Sequence, residues 1–221
     1  MPFAPGSKAR LTSRDQGRFA GGTLFDRIGR TVCRAGCLPR KELYEAWEVA
    51  RRVRRHLRGG RIVDLAAGHG LLAHLLLLLD DSSPSAVAVE PNLPASAAKL
   101  HDVMVAEWPR LDGRVHFVSD PIEDTDIGPD DLVVSVHACG VLTDAVISRA
   151  VAARSRVAVL PCCHPAGTSD GPLAGWVESA LAVDVRRAIG LEARGYRVRT
   201  QCIPEAITPQ NRLLIGEPIA P

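Results

Sequence analysis

Short apolar runs alternate with longer helical patterns along most of this chain. Five runs predict strands at residues 62–66, 86–90, 114–118, 132–136 and 157–160. Helices are predicted between the first three strands at residues 71–79 and within 95–108, and a last pair of strands is predicted at 196–203 and 213–216. Strands that alternate with helices are typical of an α/β protein with a mainly parallel sheet.

An amphipathic helix is predicted over residues 41–58, upstream of the first strand. Its apolar positions recur at helical spacing, namely Leu43, Ala46, Ala50, Val53 and Leu57. This pattern leaves four arginines largely on the outward faces, namely Arg51, Arg54, Arg55 and Arg58. We therefore expect this helix to pack by one stripe and to show its charge to solvent.

Positive charge is concentrated in the first part of the chain. Residues 1–61 contain 15 Lys and Arg against 5 Asp and Glu, a net charge of +10, and the remainder contains 12 against 20, a net charge of −8, which together give +2. We predict a basic helical N-terminal extension over residues 1–60 and a second domain over residues 61–221. Such an extension is suited to phosphates, although a solvated helical face is the commoner explanation.

The sequence also gives an expectation for the cellular location of the protein. Residues 1–22 are polar and basic without an apolar segment, and the apolar run 71–79 is too short to span a bilayer. These features predict a cytoplasmic protein without a membrane partner. Its six cysteines in a chain of 221 residues are expected to be thiols or ligands rather than a disulfide framework.

A glycine-containing turn follows the first predicted strand. Gly68 and Gly70 allow the backbone to turn tightly and to approach a ligand, and Glu90 ends the second strand, where a carboxylate can accept hydrogen bonds from ribose hydroxyls. Asp64 precedes the turn; it would repel a pyrophosphate but attract an ammonium group. The pattern favours S-adenosylmethionine (SAM) over a dinucleotide, the alternative being a turn whose glycines serve packing alone.

This segment resembles motif I of the class I SAM-dependent methyltransferases, with Ala66 where that family usually has its first glycine. The resemblance implies an α/β fold with a Rossmann-like, seven-stranded sheet and SAM as cofactor. It implies contacts to adenine after the third strand, where Asp120 would accept from the exocyclic amine and Ile122 would form an apolar lid. Asp120 as a helix cap or turn residue is the alternative. The predicted cofactor-binding residues are Asp64, Ala66, Gly68, Gly70, Glu90, Asp120 and Ile122.

Imidazoles and thiols follow the fourth and fifth predicted strands, where open α/β sheets bind ligands. They are His137 and Cys139 in one segment, and Cys162, Cys163 and His164 in the other. His137 or His164 could remove a proton during methyl transfer. Cys139 could act as a nucleophile with Cys162 or Cys163, similar to RNA 5-methylcytosine methyltransferases. A zinc site of Cys139, Cys162, Cys163 and His164 lacks the usual two-residue spacing, so no metal is predicted, and buried, inert cysteines are a further alternative.

The same two segments carry a narrower resemblance. The blocks His137-Ala138-Cys139-Gly140-x-Leu142-Thr143-Asp144 and Pro161-Cys162-Cys163-His164 are similar to those of a methyltransferase-like group that includes the acceptor-stem tRNA 2′-O-methyltransferases. The resemblance adds Asp144 to the catalytic candidates. The tRNA enzymes continue with a second His and a Cys, where this chain has Pro165 and Ala166, and their N-terminal zinc-finger elements are absent here.

Together these features predict a SAM-dependent methyltransferase whose extension covers or helps to form the acceptor site. We expect the acceptor to be RNA, either tRNA or rRNA, because of the basic extension and the narrower resemblance. The alternatives are a small-molecule methyltransferase, or a SAM-binding or zinc- or redox-sensing protein without methyl transfer. The sequence predicts no oligomeric state.

Overall fold

The computed structural model describes residues 3–136, 138–161, 164, 173 and 175–219. These residues form a seven-stranded sheet in the order β3-β2-β1-β4-β5-β7-β6. The strands are β1 Ile62–Leu65, β2 Ala86–Val89, β3 Val115–Val118, β4 Leu132–Ser135, β5 Arg156–Val159, β6 Tyr196–Cys202 and β7 Arg212–Pro218. Strands β1 to β5 are parallel, and β7 runs antiparallel to both β5 and β6. The predicted seven-stranded α/β architecture is confirmed.

Six longer helices lie around the sheet within the described part of the chain. They are α1 Leu24–Ala35, α2 Arg40–His56, α3 Leu71–Leu79, α4 Ser96–Glu107, α5 Val141–Ala152 and α6 Ser179–Glu192. Short 3-10 helices occupy Ser13–Phe19, Pro109–Leu111 and Ile122–Asp124. Among the described residues, none of the helices is both long and apolar enough to cross a membrane.

The two faces of the sheet build separate cores because side chains alternate along a strand. Ile62 and Val134 join one apolar cluster, whereas their neighbours Val63 and Val133 join the other. The N-terminal extension belongs to the first cluster, to which it contributes Phe19, Ile28, Val32, Leu43, Val49 and Val53. The extension is therefore part of the folded core on that face.

The apolar run at residues 71–79 forms helix α3. Its sequence, Leu-Leu-Ala-His followed by five leucines, has no polar face, and all residues from Leu71 to Leu78 are buried. A helix that is apolar all round must be covered on every side. Here α2 packs against its outer side while β1 and β2 lie beneath it, so the extension covers the helix that follows the glycine turn.

This packing corrects one prediction about the basic helix. Arg54 points inward with a relative exposure of 3%. Its guanidinium lies 3.1 Å from the carboxylate of Asp80 and donates to Ser83 Oγ at 2.8 Å and to the carbonyl of Leu76 at 3.1 Å. The prediction of an outward Arg54 was wrong because the end of α3 supplies a carbonyl and a nearby carboxylate. Arg55 and Arg58 are exposed as expected.

Candidate functional site

The turn after β1 has left-handed backbone at three positions. Ala66, Gly68 and Gly70 have φ values of 54°, 55° and 72°. For an alanine this conformation costs about 1–2 kcal/mol, which gives a physical reason why glycine suits position 66. An added Cβ at Gly70 would lie 2.9 Å from the ring of Phe117, whereas one at Gly68 would meet no atom within 4 Å. The backbone at Gly68 is therefore open to a ligand.

Glu90 lies directly after β2 and faces this turn. Its carboxylate accepts hydrogen bonds from the amide of Gly68 at 3.1 Å and from the amide of Asn92 at 3.2 Å. A cleft of about 350 Å³ opens here and is lined by Ala66, Gly68, Glu90, Pro91, Asn92, Pro121, Ile122, Glu123 and Leu142. The structure thus brings four predicted cofactor residues together, namely Ala66, Gly68, Glu90 and Ile122.

The other predicted cofactor residues lie around this cleft. Gly70 precedes α3, at the base of the turn. Asp120 is exposed and is not among the residues that line the cleft. Its contact with adenine stays a prediction.

Asp64 lies behind the turn and is almost fully buried, with 2% exposure. One of its oxygens accepts the amide of Ala73, in the first turn of α3, at 3.2 Å. Burial raises the pKa of Asp64 to about 8, and the nearby charge of Glu90 acts in the same direction. Asp64 borders a cavity of about 10 Å³, room for about one water molecule.

Glu42 of α2 borders the same small cavity, as do Leu38 and Ala46. Burial raises the pKa of Glu42 to about 7, and the charge of Glu45 adds to this shift. We did not predict Glu42, because the helix was expected to pack by its apolar positions alone. The signal that could have found it is its spacing of four residues before Ala46, on the buried side of the helix.

The predicted acceptor residues are only partly within the described structure. His137, Cys162 and Cys163 lie outside the described residues. Cys139 follows β4 and is exposed. His164, beyond the end of β5, has a side chain only 8% exposed, and its Nε2 lies 2.8 Å from Asp184.

A network of ion pairs joins α5, α6 and β7 near His164. Asp184 of α6 also pairs with Arg187 at 3.2 Å and with Arg212 of β7 at 2.7 Å. Arg187 in turn binds Asp144 at 2.8 Å. Asp144 therefore faces α6 and borders a different cavity from the cleft at Glu90; its catalytic role stays a prediction.

Sequence reasoning missed three members of this network, Asp184, Arg187 and Arg212. They come from α6 and β7, far along the chain from the predicted strand ends, and no local motif marks them. Within the described part of the chain, no group of three or more His, Cys, Asp or Glu is placed to hold a metal ion. Two of the four ligands considered for zinc, Cys162 and Cys163, lie outside that part.

Comparison with protein families gives one match. A family model described as a methyltransferase domain covers residues 41–166, which is 126 of the 221 residues. The match includes most of α2 as well as β1 to β5. No curated protein sequence matches the chain.

Solved structures with the same fold include proteins of different kinds. An O-methyltransferase family protein from Burkholderia thailandensis has a TM-score of 0.56 at 19% identity, over 97% of this chain and 65% of its own. A candidate rRNA methylase from Clostridium thermocellum has a TM-score of 0.53 at 14% identity, over 77% and 93%. The mitomycin 7-O-methyltransferase MmcR has a TM-score of 0.52 at 16% identity, over 95% and 64%.

At these identities the likeness concerns the fold alone. The present chain spans less than two thirds of the length of the Burkholderia protein and of MmcR. It spans nearly all of the Clostridium protein.

Proposed function

Given that this chain belongs to the methyltransferase family whose model covers residues 41–166, we propose that it transfers the methyl group of SAM to an RNA acceptor. The observation that carries the proposal of SAM is the cleft at the ends of β1 and β2. There, Glu90 and the open backbone of Gly68 face the same space of about 350 Å³.

The residues present suit SAM as a ligand. Glu90 would accept hydrogen bonds from the ribose hydroxyls, and Ile122 would cover the adenine with an apolar surface. SAM carries a sulfonium and an ammonium group, and the carboxylates of Asp64 and Glu42 lie close behind the turn. Neither carboxyl is in an ion pair with any described residue, and burial raises the pKa of both, so a cationic ligand beside them would favour their ionised forms.

Bound SAM supplies a methyl group activated by the sulfonium. The protein has to align the acceptor atom with that methyl group and, for a hydroxyl or a protonated nitrogen, to accept a proton. His164 is the imidazole within the described residues that lies beyond a strand end on the acceptor side. Asp184 fixes its orientation through Nε2, which leaves Nδ1 available for such a proton.

Support for an RNA acceptor comes from the extension. Many of its cations are already neutralised in ion pairs, including Arg27 and Arg34 with Glu107 and Arg51 and Arg52 with Glu48. Others, among them Lys8, Arg10 and Arg14, are exposed and in no ion pair with a described residue.

The segment that carries Lys8 and Arg10 packs against residues that border the small cavity behind the glycine turn. The amide of Leu11 donates to the carbonyl of Leu38 at 2.9 Å, and the amide of Lys41 donates to the carbonyl of Ser7 at 3.0 Å. Leu38 and the neighbouring Glu42 border the cavity at Asp64. The segment that carries Lys8 and Arg10 is thus one layer from the glycine turn, where a polyanionic acceptor could approach.

The test is transfer of labelled methyl groups from SAM to total cellular RNA and, separately, to an RNA-free extract of small molecules. We expect label in the RNA, reduced strongly by Glu90→Ala. Label confined to the extract would favour a small-molecule acceptor. The family model is described only as a methyltransferase domain, which is compatible with either acceptor. Tight binding of SAM without transfer to either preparation would instead support a SAM-binding protein without this activity.

A further inference from the structure

A second cavity, of about 510 Å³, lies beside His164. Four parts of the chain line it: the N-terminal segment, the first turn of α2, His164 beyond β5, and the connection between β6 and β7. The lining residues are Gly6, Lys8, Lys41, His164, Ile207, Pro209 and Gln210. Among the described residues this lining includes two lysines and an imidazole but no carboxylate, so its charge favours an anion.

His164, which is proposed above as a proton acceptor, also lines this cavity. Its Nε2 lies 2.8 Å from Asp184 Oδ1, and because a carboxylate only accepts hydrogen bonds, Nε2 carries the proton. Its Nδ1 is buried and has no hydrogen-bond partner among the described residues. In the neutral imidazole this Nδ1 is an acceptor, and a buried acceptor without a partner is unfavourable until a ligand supplies a donor.

Lysine is rare in this chain, which makes the two lysines of the cavity notable. It contains 27 Lys and Arg residues, of which three are lysines, and two of those three line this cavity. Lys8 forms no ion pair with a described residue, and Lys41 lies 3.3 Å from Glu45. Lysine ammonium groups bind phosphates as compact point charges.

We propose that this cavity binds a phosphate ester of the acceptor. Lys8 and Lys41 hold the phosphate oxygens, and Nδ1 of His164 accepts a hydrogen bond from a neighbouring hydroxyl or amino group. The inference rests on the proposed methyl transfer to a nucleotide-containing acceptor. The position of the cavity also supports it. Lys41 borders this cavity and the next residue, Glu42, borders the cavity at Asp64, so the first turn of α2 contacts both.

The experiment compares Lys8→Gln and Lys41→Gln with Lys99→Gln, which removes the third lysine from an exposed position on α4. Binding of labelled cellular tRNA is measured by fluorescence anisotropy over a range of salt concentrations. For each cavity variant we expect a several-fold weaker affinity and a fall of about one in the slope of log affinity against log salt. Lys99→Gln should match the wild type, and SAM affinity should be unchanged in all three.

Two further measurements keep the result interpretable. Lys41→Arg retains a cation beside Glu45 and should bind tRNA nearly as the wild type, whereas Lys8→Glu, at an exposed position, should weaken binding more than Lys8→Gln. In a second arm, inorganic phosphate at millimolar concentration should raise the melting temperature of the wild type and of Lys99→Gln more than that of the cavity variants.

The outcomes separate this inference from the proposed function. Lysine-dependent binding of tRNA supports both. A lysine-dependent effect of phosphate without binding of tRNA supports the phosphate subsite, with a small phosphorylated acceptor as the source, and overturns RNA. If tRNA is bound and methylated but the cavity variants behave as Lys99→Gln in both arms, the subsite is overturned while the proposed function stands.

Discussion

The carboxylates at the two sides of the sheet's carboxyl edge have opposite surroundings. At the ends of β1 and β2, Asp64 and Glu90 form no ion pair with a described residue and bind backbone amides instead. Beyond β4 and β5, Asp144 and Asp184 are held by arginines and by His164. The first side leaves its carboxyl groups free of cationic side chains, so that they can interact with a cationic ligand, whereas the second side uses its carboxylates to fix the positions of other side chains.

The cations show the reverse distribution. Lys8 and Lys41 line the cavity on the acceptor side, and no lysine or arginine borders the cleft at Glu90 among the described residues. This difference suits a cationic cofactor on one side and an anionic acceptor on the other.

The largest effect is expected on the stability of the protein, from substitutions in the glycine turn on the cofactor side. Gly70→Ala would place a Cβ 2.9 Å from Phe117 at a φ of 72°, so we expect a loss of about 2–4 kcal/mol in the free energy of unfolding from strain and overlap together. Gly68→Ala has the same type of backbone but free space and should lose only about 1 kcal/mol. Denaturant unfolding measures both, and equal losses would contradict the assigned packing.

Removing the proposed ribose acceptor should be the next largest effect. Glu90→Ala is expected to weaken SAM binding by about 1–3 kcal/mol, because the ribose hydroxyls lose their partner in a partly buried site. Glu123→Ala is the matched control, since Glu123 also borders the cleft but has no hydrogen bond to a described residue that would fix it there. Calorimetry with SAM should show a change below about 0.5 kcal/mol for the control; equal effects would remove Glu90 from its assigned role.

The pH dependence of SAM binding tests the buried acid. The pKa of Asp64 is raised to about 8 and that of Glu42 to about 7, so both carboxyls take up protons as pH falls below these values. A cationic ligand favours the ionised forms, so SAM affinity should rise several-fold between pH 6 and 8, with release of protons on binding. Asp64→Asn should flatten this profile, and a profile unchanged by the substitution would place the titration elsewhere.

The same shifts predict the sign of the change in stability without ligand. A carboxyl with a raised pKa is protonated more readily in the folded state than in the unfolded state. The contribution of Asp64 to the free energy of unfolding should therefore fall as pH rises from about 4 to 8. Asp64→Asn should be less sensitive to pH over this window in thermal unfolding.

The smallest effect is expected at Asp144. Its side chain is 56% exposed, and its buried partner Arg187 keeps Asp184 as a second partner, so we expect a contribution near the roughly 0.2–1 kcal/mol that is typical of exposed pairs. Asp144→Asn should therefore lower stability slightly and leave methyl transfer within about twofold of the wild type. A much larger loss of turnover with normal SAM binding would instead support the catalytic role that the resemblance implies.

Much of the fold could be predicted from local pattern. The strands lie within a few residues of their predicted bounds, and Leu71–Leu79 forms the helix that was expected there. Glu90 could be placed near Gly68 because neighbouring parallel strands end at the same edge of a sheet. These features depend on residue periodicity and on glycine's access to positive φ, which act over a few residues.

The orientation of charged side chains could not be predicted in this way. Arg54 and Arg55 are neighbours on one helix, yet Arg54 is buried against Asp80 while Arg55 is exposed. Whether an arginine turns inward depends on which carboxylates and carbonyls the packed neighbour offers. That neighbour, α3, comes from a different part of the chain.

By itself, the sequence determined the order of the strands, the helices predicted at residues 41–58, 71–79 and 95–108, the glycine turn and the acid that follows the second strand, because each is specified by residues close together in the chain. The tertiary structure alone decided that Glu42 lies behind the turn, that Asp184 holds His164, and that Lys8 and Lys41 share a cavity with it. The physical reason is that burial and electrostatic interaction depend on distances in space, and these contacts join residues separated by tens to more than a hundred positions.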